Sequence, residues 1–521
     1  MEAHKTSAQF AGDYTLNGII LHNHQNEGID VADQGIDIQD LVVEMNIFES
    51  IYKNSITGSL VITDSINLIA KLPIQGTERL SFNLSTPGDT GVGPGFQIDC
   101  TERSGHPMHI YKLTDRQQLS EGIQVYTLHF CSREFLRNLR TKVSETFEGR
   151  IDQMVYKILD DENYLDSRRY FNYQKTRNQD KITIPNITPF QAIEMLSKRA
   201  LAESDNDNAA GYYFYQTVQG FHFRSFESLC VTSNGVPRKP KQEFSYGPVM
   251  VDEEITDTPN VITGTEEVTK ILKDYSSVEN YKFINNLHDV AMNQAVGTYA
   301  HRVITHNLYN KSYKISDYHY HNRFNDIHHT DGQRNKISNP PIVDTPVDHE
   351  RTIDGKRDRG VSDYPESRVT VMPTTQFSHG EETGAFGVDV ENDGITEASR
   401  ISQRASIEAG TRLKLTVKGQ SFLEPGDLIE FNVLAVENKI ESKGRLDPQN
   451  AGRYIISKIR HRVTNSEYIQ ILECVKDSVY TRYHTDEEDN FQGRQLRNAE
   501  SISIDINQYD DISDGKSSGG F

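Results

Sequence analysis

The sequence predicts an α+β, β-rich fold spread over several cores. The chain is 521 residues long, more than one core accommodates at roughly 150 residues per domain. Apolar and polar residues alternate at both ends, and a helical period separates those two stretches. A hydrophobic content of 36%, a charged content of 25%, 25 Tyr and 22 Phe describe a globular chain with aromatic anchors.

From Tyr14 to about Phe130 the dominant period is two. Leu41, Val43, Met45 and Ile47 alternate with Val42, Glu44, Asn46 and Phe48. After the polar Tyr52-Lys53-Asn54 corner, Ile56, Gly58, Leu60 and Ile62 continue a hairpin with one core face. The period changes at Asp64-Ser65, where either residue can cap a short helix carrying Ile66, Ile69 and Leu72, stopped by Pro73. Leu80, Phe82 and Leu84 resume the alternation and complete a β-β-α-β unit. A Gly-rich loop at 89–96 and a strand over Gln124–Cys131 make residues 1–134 a first barrel or strongly curled sheet, with the helix plugging one end.

Residues 135–245 read as a separate α+β domain. Phe135, Leu139, Val143 and Phe147 step by four, and Ile151, Met154, Val155, Ile158 and Leu159 fill one stripe of a second helix. Thr188-Pro189-Phe190-Gln191 opens a third, with Thr188 as N-cap, Pro189 at the first helical position and Gln191 closing a capping box. Tyr212 to Phe226 alternates through a Gln219-Gly220 turn.

Residues 246–284 return to strands at Val261 and Ile262 and begin a second barrel. Residues 285–398 form an inserted, strand-rich domain: a helix through Leu287, Val290, Ala291 and Gln294, then a His- and Tyr-laden stretch. A long loop loaded with Pro, Gly and Asp follows over 331–395. Residues 399–480 complete the second barrel. Pro425 and Gly426 suit the central pair of a type II turn, and Asp427 can bond its backbone. In the last hairpin Ile455, Ser457, Ile459, His461 and Val463 face one way, Lys458, Arg460 and Arg462 the other, and Asn465-Ser466 turns the chain toward Tyr468. Residues 481–521, acidic and then rich in Ser and Gly, read as a mobile tail.

Fifty-five basic against seventy-five acidic residues give a net charge of −20, which repels nucleic acid at long range and argues against a sequence-reading role. Cys100, Cys131, Cys230 and Cys474 have no CxxC spacing and read as free thiols of a reducing compartment. The first residues lack a basic region followed by an apolar one, and no run approaches eighteen apolar residues. Neither a signal peptide nor membrane spanning is expected.

Chemistry-bearing patterns are sparse. His319 and His321 would share a strand face, an acceptable metal-pair geometry, and His301, His306, His328 and His329 lie nearby. No third or fourth ligand stands at a fitting spacing, and Tyr318 and Tyr320 mark an ordinary amphipathic strand, so no metal is expected. Gly91, Gly93 and Gly95 imitate a phosphate-cradling loop without its lysine, and Pro94 stops a helix from opening there. The pairs Asp160/Asp161 and Glu253/Glu254 are adjacent residues that point apart, unlike a glycosidase pair. No catalytic residue, cofactor or metal is expected, and the Lys458, Arg460, Arg462 row reads as a solvated or interface face.

Two patches carry a resemblance. The first runs from the hairpin with Gly58 through Asp64 and Pro73 to Gly76 and Glu78; the second holds Gly419, Pro425, Gly426, Asp427, Gly452, Tyr454 and His461. Together they resemble the central baseplate hub protein of contractile-tailed bacteriophages, a family related to the hub of the type VI secretion spike. The resemblance implies two tail-tube-like β-barrel domains per chain, so that a homotrimer offers six quasi-equivalent barrels to the hexameric tail tube protein. It implies further partners in the central spike protein and the baseplate wedge proteins, contacted by the remaining domains, and a channel that genomic DNA or tape measure occupies or traverses without specific binding. It places the chain in the virion, at the tail baseplate, after assembly in the host cytoplasm. The 331–395 insertion and the acidic tail depart from shorter family members. The alternative is a tail-associated polysaccharide- or peptidoglycan-degrading enzyme, against which the absence of Trp counts. A type VI spike hub would continue into its own needle, and since no Gly-rich repeat follows residue 480, a separate spike protein is expected.

Overall fold

Alternation at the N-terminal end becomes eight strands: β1 (Thr15–His22), β2 (Ile36–Asp37), β3 (Val42–Ser50), β4 (Thr57–Asp64), β5 (Arg79–Ser85), β6 (Gln97–Cys100), β7 (Met108–Ser120) and β8 (Ile123–Cys131). The computed structural model describes residues 11–22, 35–71, 74–86, 97–177, 179–203, 209–232, 235–246, 274–285, 290–307, 311–323, 327–331, 364–374, 400–401, 407, 410–434, 446–447 and 449–478. The expected Gly-rich loop at 89–96, the strand at Val261 and Ile262, Leu72, Pro73 and the tail lie outside the described residues, as does most of the 331–395 loop.

The first module is a curled sheet in the order β3-β4-β8-β7-β5-β1-β2, with β6 beside β5. The β-β-α-β unit is present as β3, β4, α1 (Leu68–Lys71) and β5. Two details differ from the sequence reading. Register shifts between Val42 and Glu44, and this bulge turns Val42 into the core and leaves Val43 exposed. In the short helix Leu68 is buried and Ile66 exposed, because Asp64 ties down the backbone N–H groups of Ile66 (3.1 Å) and Leu68 (2.8 Å), which fixes the entry of the turn.

The middle module holds α2 (Arg133–Arg140), β9 (Thr146–Arg150), α3 (Ile151–Asp160), β10 (Tyr170–Tyr173), β11 (Gln179–Thr183), α4 (Pro189–Ser197), β12 (Tyr212–Gln216), β13 (Gly220–Ser225) and α5 (Phe226–Cys230). The α3 stripe is buried as predicted. At α4 Pro189 holds the first helical position, and the Thr188 N–H donates to Gln191 Oε1 at 3.2 Å. The step of four through Phe135, Leu139, Val143 and Phe147 does not form one helix. The helix ends at Arg140 and Leu139 is exposed, while Phe147 lies on β9 opposite Ile182. Buried Glu134 and Asn138 set the inward face instead; Asn138 Oδ1 accepts the Phe190 N–H at 2.8 Å.

Next come β14 (Gln242–Tyr246) and β15 (Val278–Asn285), then β16 (Ala300–Asn307), β17 (Ser312–His319) and β18 (Val369–Thr374) of the insertion. The last strands are β19 (Thr411–Lys418), β20 (Leu428–Val433), β21 (Gly452–Thr464) and β22 (Tyr468–Lys476). The insertion forms a separate sheet, β17-β16-β18. Part of the expected long loop is therefore a strand: β18 runs parallel to β16, with Ile304 opposite Val371. The last module runs β15-β19-β22-β21-β20-β14, and a bridge between Ser245 and Ser277 brings β14 back to β15. The boundary drawn at 245/246 falls inside β14, whose partner is β20.

Both end modules belong to one fourteen-stranded sheet. Its link is β21, whose first residues pair with β20 from Leu428↔Ile455 to Phe431↔Gly452 and whose later residues pair with β3 from Lys458↔Ser50 to Thr464↔Glu44. Val463 and Tyr468, at the tip of the final hairpin, pack into the core of the first module. A further core, including Ile51, Tyr213, Tyr215, Leu428 and Val475, joins all three modules. The four cysteines are buried and form no disulfide. Burial pushes the Cys100 and Cys131 thiols up to about 12 and raises those of Cys230 and Cys474 as well.

Gly58 sits where β4 passes under an aromatic ring, and a Cβ there would lie 2.1 Å from Phe130 Cζ and 2.5 Å from the Asn46 carbonyl oxygen. Gly58→Ala is expected to cost about 1–3 kcal/mol through overpacking, read as a lower thermal midpoint, whereas Ser59→Ala on the opposite face should leave the midpoint nearly unchanged.

Candidate functional site

The first patch of motif residues lies at both ends of the first module, Asp64 opposite Gln124 at one and Gly58 and Glu78 beside Phe130 and Ile110 at the other. Asp64 is buried and also accepts from Gln124 Nε2 at 3.0 Å. Burial works to raise its pKa, but the hydrogen bonds from Leu68, Gln124 and Ile66 prevail and hold the carboxyl below its ordinary value. Glu78 is buried with its carboxylate wrapped by its own loop: the N–H groups of Gln75 (2.6 Å), Gly76 (2.8 Å) and Thr77 (3.0 Å) all donate to it. That loop requires φ +87° at Gly76. Pro73 lies outside the described residues.

The second patch converges on the place where the modules meet. Glu424-Pro425-Gly426-Asp427 forms the expected turn, with the Asp427 N–H donating to the Glu424 carbonyl at 3.1 Å and Gly426 at φ +93°. The turn is stapled to β21 by Gly426 N–H to Ile456 O (2.8 Å) and Ile456 N–H to Asp427 O (2.9 Å). A Cβ on Gly426 would meet the Tyr215 hydroxyl of the middle module at 2.3 Å, and one on Gly419 would meet the Tyr468 ring at 2.1 Å. Gly452 begins β21 at φ +116°. Tyr454 is buried and donates to Asn450 O at 2.7 Å.

Along the β3/β21 seam the two faces differ. On the solvent side Glu44 bridges Arg460 (3.2 Å) and Arg462 (2.9 Å), and Glu473 holds Lys458 (2.8 Å). The basic row is thus an interface within the chain. On the core side His461 is stacked on Tyr468, its Nδ1 lies 2.6 Å from the Tyr468 hydroxyl, and its Nε2 faces Glu49 at 3.8 Å. Gln470 fixes the loop before the turn, accepting from the Gln420 N–H (3.0 Å) and donating to its carbonyl (2.8 Å).

The β12–β13 corner of the middle module plugs into this polar patch. The Val218 N–H donates to Glu49 Oε1 at 2.9 Å, and Thr217 Oγ1 lies 3.0 Å from His222 Nε2 and 3.4 Å from Glu424 Oε2. Two carboxylates from different β modules therefore grip adjacent residues of a third. Burial, then the charges of Glu49 and Asp427, push the Glu424 carboxyl up to about 8 against the pull of Lys241. Burial, with Arg224 and Lys241 adding to it, brings His222 down to about 4. Thr, His and Glu side by side imitate a nucleophile and its base. Yet Thr217 is fully buried and its hydroxyl is spent on both neighbours, which makes this a bolt between modules with no room for a substrate.

Sequence reasoning found Gly426, Asp427 and His461 but missed Glu49, Thr217, His222, Glu424 and Gln470. A signal was present for two of them. Glu49 continues the inward series Met45, Ile47, and Gln470 continues Tyr468, Leu472, Cys474; a polar residue on the core face of an alternating strand needs a buried partner.

Among the described residues no group of three His, Cys, Asp or Glu is placed to hold a metal ion. His319 and His321 do not share a strand face, since β17 ends at His319 and Tyr320–Arg323 is a helical turn. His301 is buried against Tyr318, with Nδ1 2.9 Å from Gly297 O. His329 serves another purpose. Its Nδ1 meets Asp477 at 2.7 Å, Thr330 donates to the same carboxylate, and Asp331 meets buried Lys476 at 3.1 Å, so that residues 329–331 clasp the end of β22.

No family model matches the sequence, and no curated protein matches it. Among solved structures the chain is similar to a tail protein from Neisseria meningitidis, at 9% identity and a TM-score of 0.45 over 90% of this chain and 98% of the other. It is also similar to a 43 kDa prophage tail protein from Shewanella oneidensis, at 10% identity and 0.44 over 88% and 98%. An E. coli component of the type VI secretion system, described as structurally similar to T4 tail proteins, matches at 10% identity and 0.36 over 85% and 75%. The neighbours are thus phage tail proteins and type VI secretion proteins.

Glu424 binds its proton more tightly folded than unfolded, so its contribution to stability falls as pH rises from 4.5 to about 8. His222 does the reverse between about 4 and 6.5. The two oppose each other in the acid range and leave a net decline above pH 6.5. Thermal stability is expected to drop between pH 6.5 and 8 by on the order of 2 kcal/mol, and Glu424→Gln should flatten that limb and unmask the His222 contribution as a rise in stability between about pH 4 and 6.5.

Proposed function

We propose that the chain is a non-enzymatic structural hub of a contractile phage tail baseplate, a homotrimer that joins the hexameric tail tube to the central spike. The observation that carries the reading is the β3/β21 pairing, which makes the two end modules consecutive stretches of one sheet within a chain. Three chains joined by the same kind of edge contact would repeat that arrangement as six modules around a channel. The middle and inserted modules are left to contact spike and wedge proteins, and DNA or tape measure passes the channel without specific binding. Such a component works by matching backbone edges and transmitting load, which explains why its motif residues are turn glycines, buried carboxylates and caps.

One edge is available for the contact between copies. Strand β5 pairs with β7 only at Met108 and His109, so Tyr111–Ser120 carries no ladder on that side among the described residues. Leu119 and Ile123 are exposed near the end of the β7–β8 hairpin. Light scattering after size exclusion should give three times the 59.3 kDa chain mass. Leu119→Asp, a surface change costing a protomer no more than about 0.5 kcal/mol, should shift the protein toward monomer with its circular dichroism unchanged. A wild-type chain that stays monomeric at micromolar concentration would overturn the proposal.

A further inference from the structure

On the solvent side of the seam lies a groove of about 570 Å³ that crosses strands of both end modules. Phe48, Ile471 and Ile284 supply apolar surface, and Lys53, Lys414, Lys458 and Arg460 supply charge. Lys458 is neutralised by Glu473 and Arg460 by Glu44. Lys53 and Lys414 are exposed and have no ion pair among the described residues. The groove is therefore net cationic in a chain whose overall charge is −20.

We infer that this groove is a docking site for an extended peptide segment of another protein, one that alternates apolar and acidic side chains. Charge complementarity selects acidic groups: two exposed ammonium groups, Lys53 from the β3–β4 corner and Lys414 from β19, lie on opposite sides of the seam. The apolar surface selects against a bare polyanion. Phosphates or a run of carboxylates would leave Phe48, Ile471 and Ile284 uncovered, whereas an extended peptide sends successive side chains to opposite sides and can satisfy apolar and cationic surfaces together. Nucleic acid is further disfavoured because Lys458 and Arg460 are already held by carboxylates and cannot reach out without breaking those pairs.

The test needs only the full chain and does not depend on its oligomeric state. Fluorescence polarisation is measured with a labelled octapeptide alternating Leu and Asp, against octa-aspartate, an octapeptide alternating Leu and Lys, and a single-stranded oligonucleotide of twenty thymidines. The Leu-Asp peptide should bind at least about tenfold more tightly than each of the others, and Lys53→Glu with Lys414→Glu should weaken it by about tenfold or more while the thermal midpoint stays put. Equal or tighter binding of octa-aspartate or of the oligonucleotide overturns the inference in favour of a plain electrostatic surface. Absence of Leu-Asp binding, or binding indifferent to the two lysine changes, overturns it outright.

Discussion

Everything in the arrangement depends on one strand serving two modules of a single sheet. Strand β21 spends its first residues on β20 and its later ones on β3 while β22 runs along its other side. A register shift between Ile456 and Lys458 accompanies the change of partner, as expected of a bulge that bends a strand and redirects its edge. If that strand were shorter by a few residues, the last module would close on itself and the first would be left with an open edge at β3. Ladder hydrogen bonds, which no side chain specifies, thus bind the two ends of a long chain.

Side chains then lock what the backbone joins. The lock is polar and buried, a costly choice wherever a group goes unbonded, as Glu424 Oε1 and His461 Nε2 do among the described residues. Glu49, Glu424, His461 and Gln470 are each drawn from a different element, and the Thr217-Val218 corner supplies donors that none of the β modules could offer itself. Apolar contact alone tolerates sliding; a hydrogen-bonded cluster at a junction has one good registration. The clasp of His329, Thr330 and Asp331 on Asp477 and Lys476 repeats the principle where the insertion meets the end of β22.

Much of this was legible in the residues and some of it could not be. Regular alternation located β3, β4, β5 and the final hairpin, and the capping signature Thr188 to Gln191 located α4, because in each case local preference and tertiary demand agree. Val42 and Val43 exchanged places because a bulge shifts the period by one, and a bulge leaves no mark in the composition. The helix expected beyond Arg140 failed because Val143 and Phe147 were claimed by the distant partners Ile187 and Ile182, contacts outside any local window. The polar junction was half visible, in Glu49 and Gln470 on apolar faces; the residues that complete it come from a different module, and only the assembled fold could identify them.

The four buried thiols carry a consequence of their own. Cys100 lies in the core of the first module, Cys474 in that of the last, and Cys230 in the core shared by three modules, all three with raised pKa values. As thiols without access to solvent they are poor nucleophiles, and an alkylating reagent reaches each one only when its own surroundings open. The native chain therefore contains a built-in set of chronometers, and the order in which its cysteines become modified reports which portion of the protein loosens first, with no label introduced.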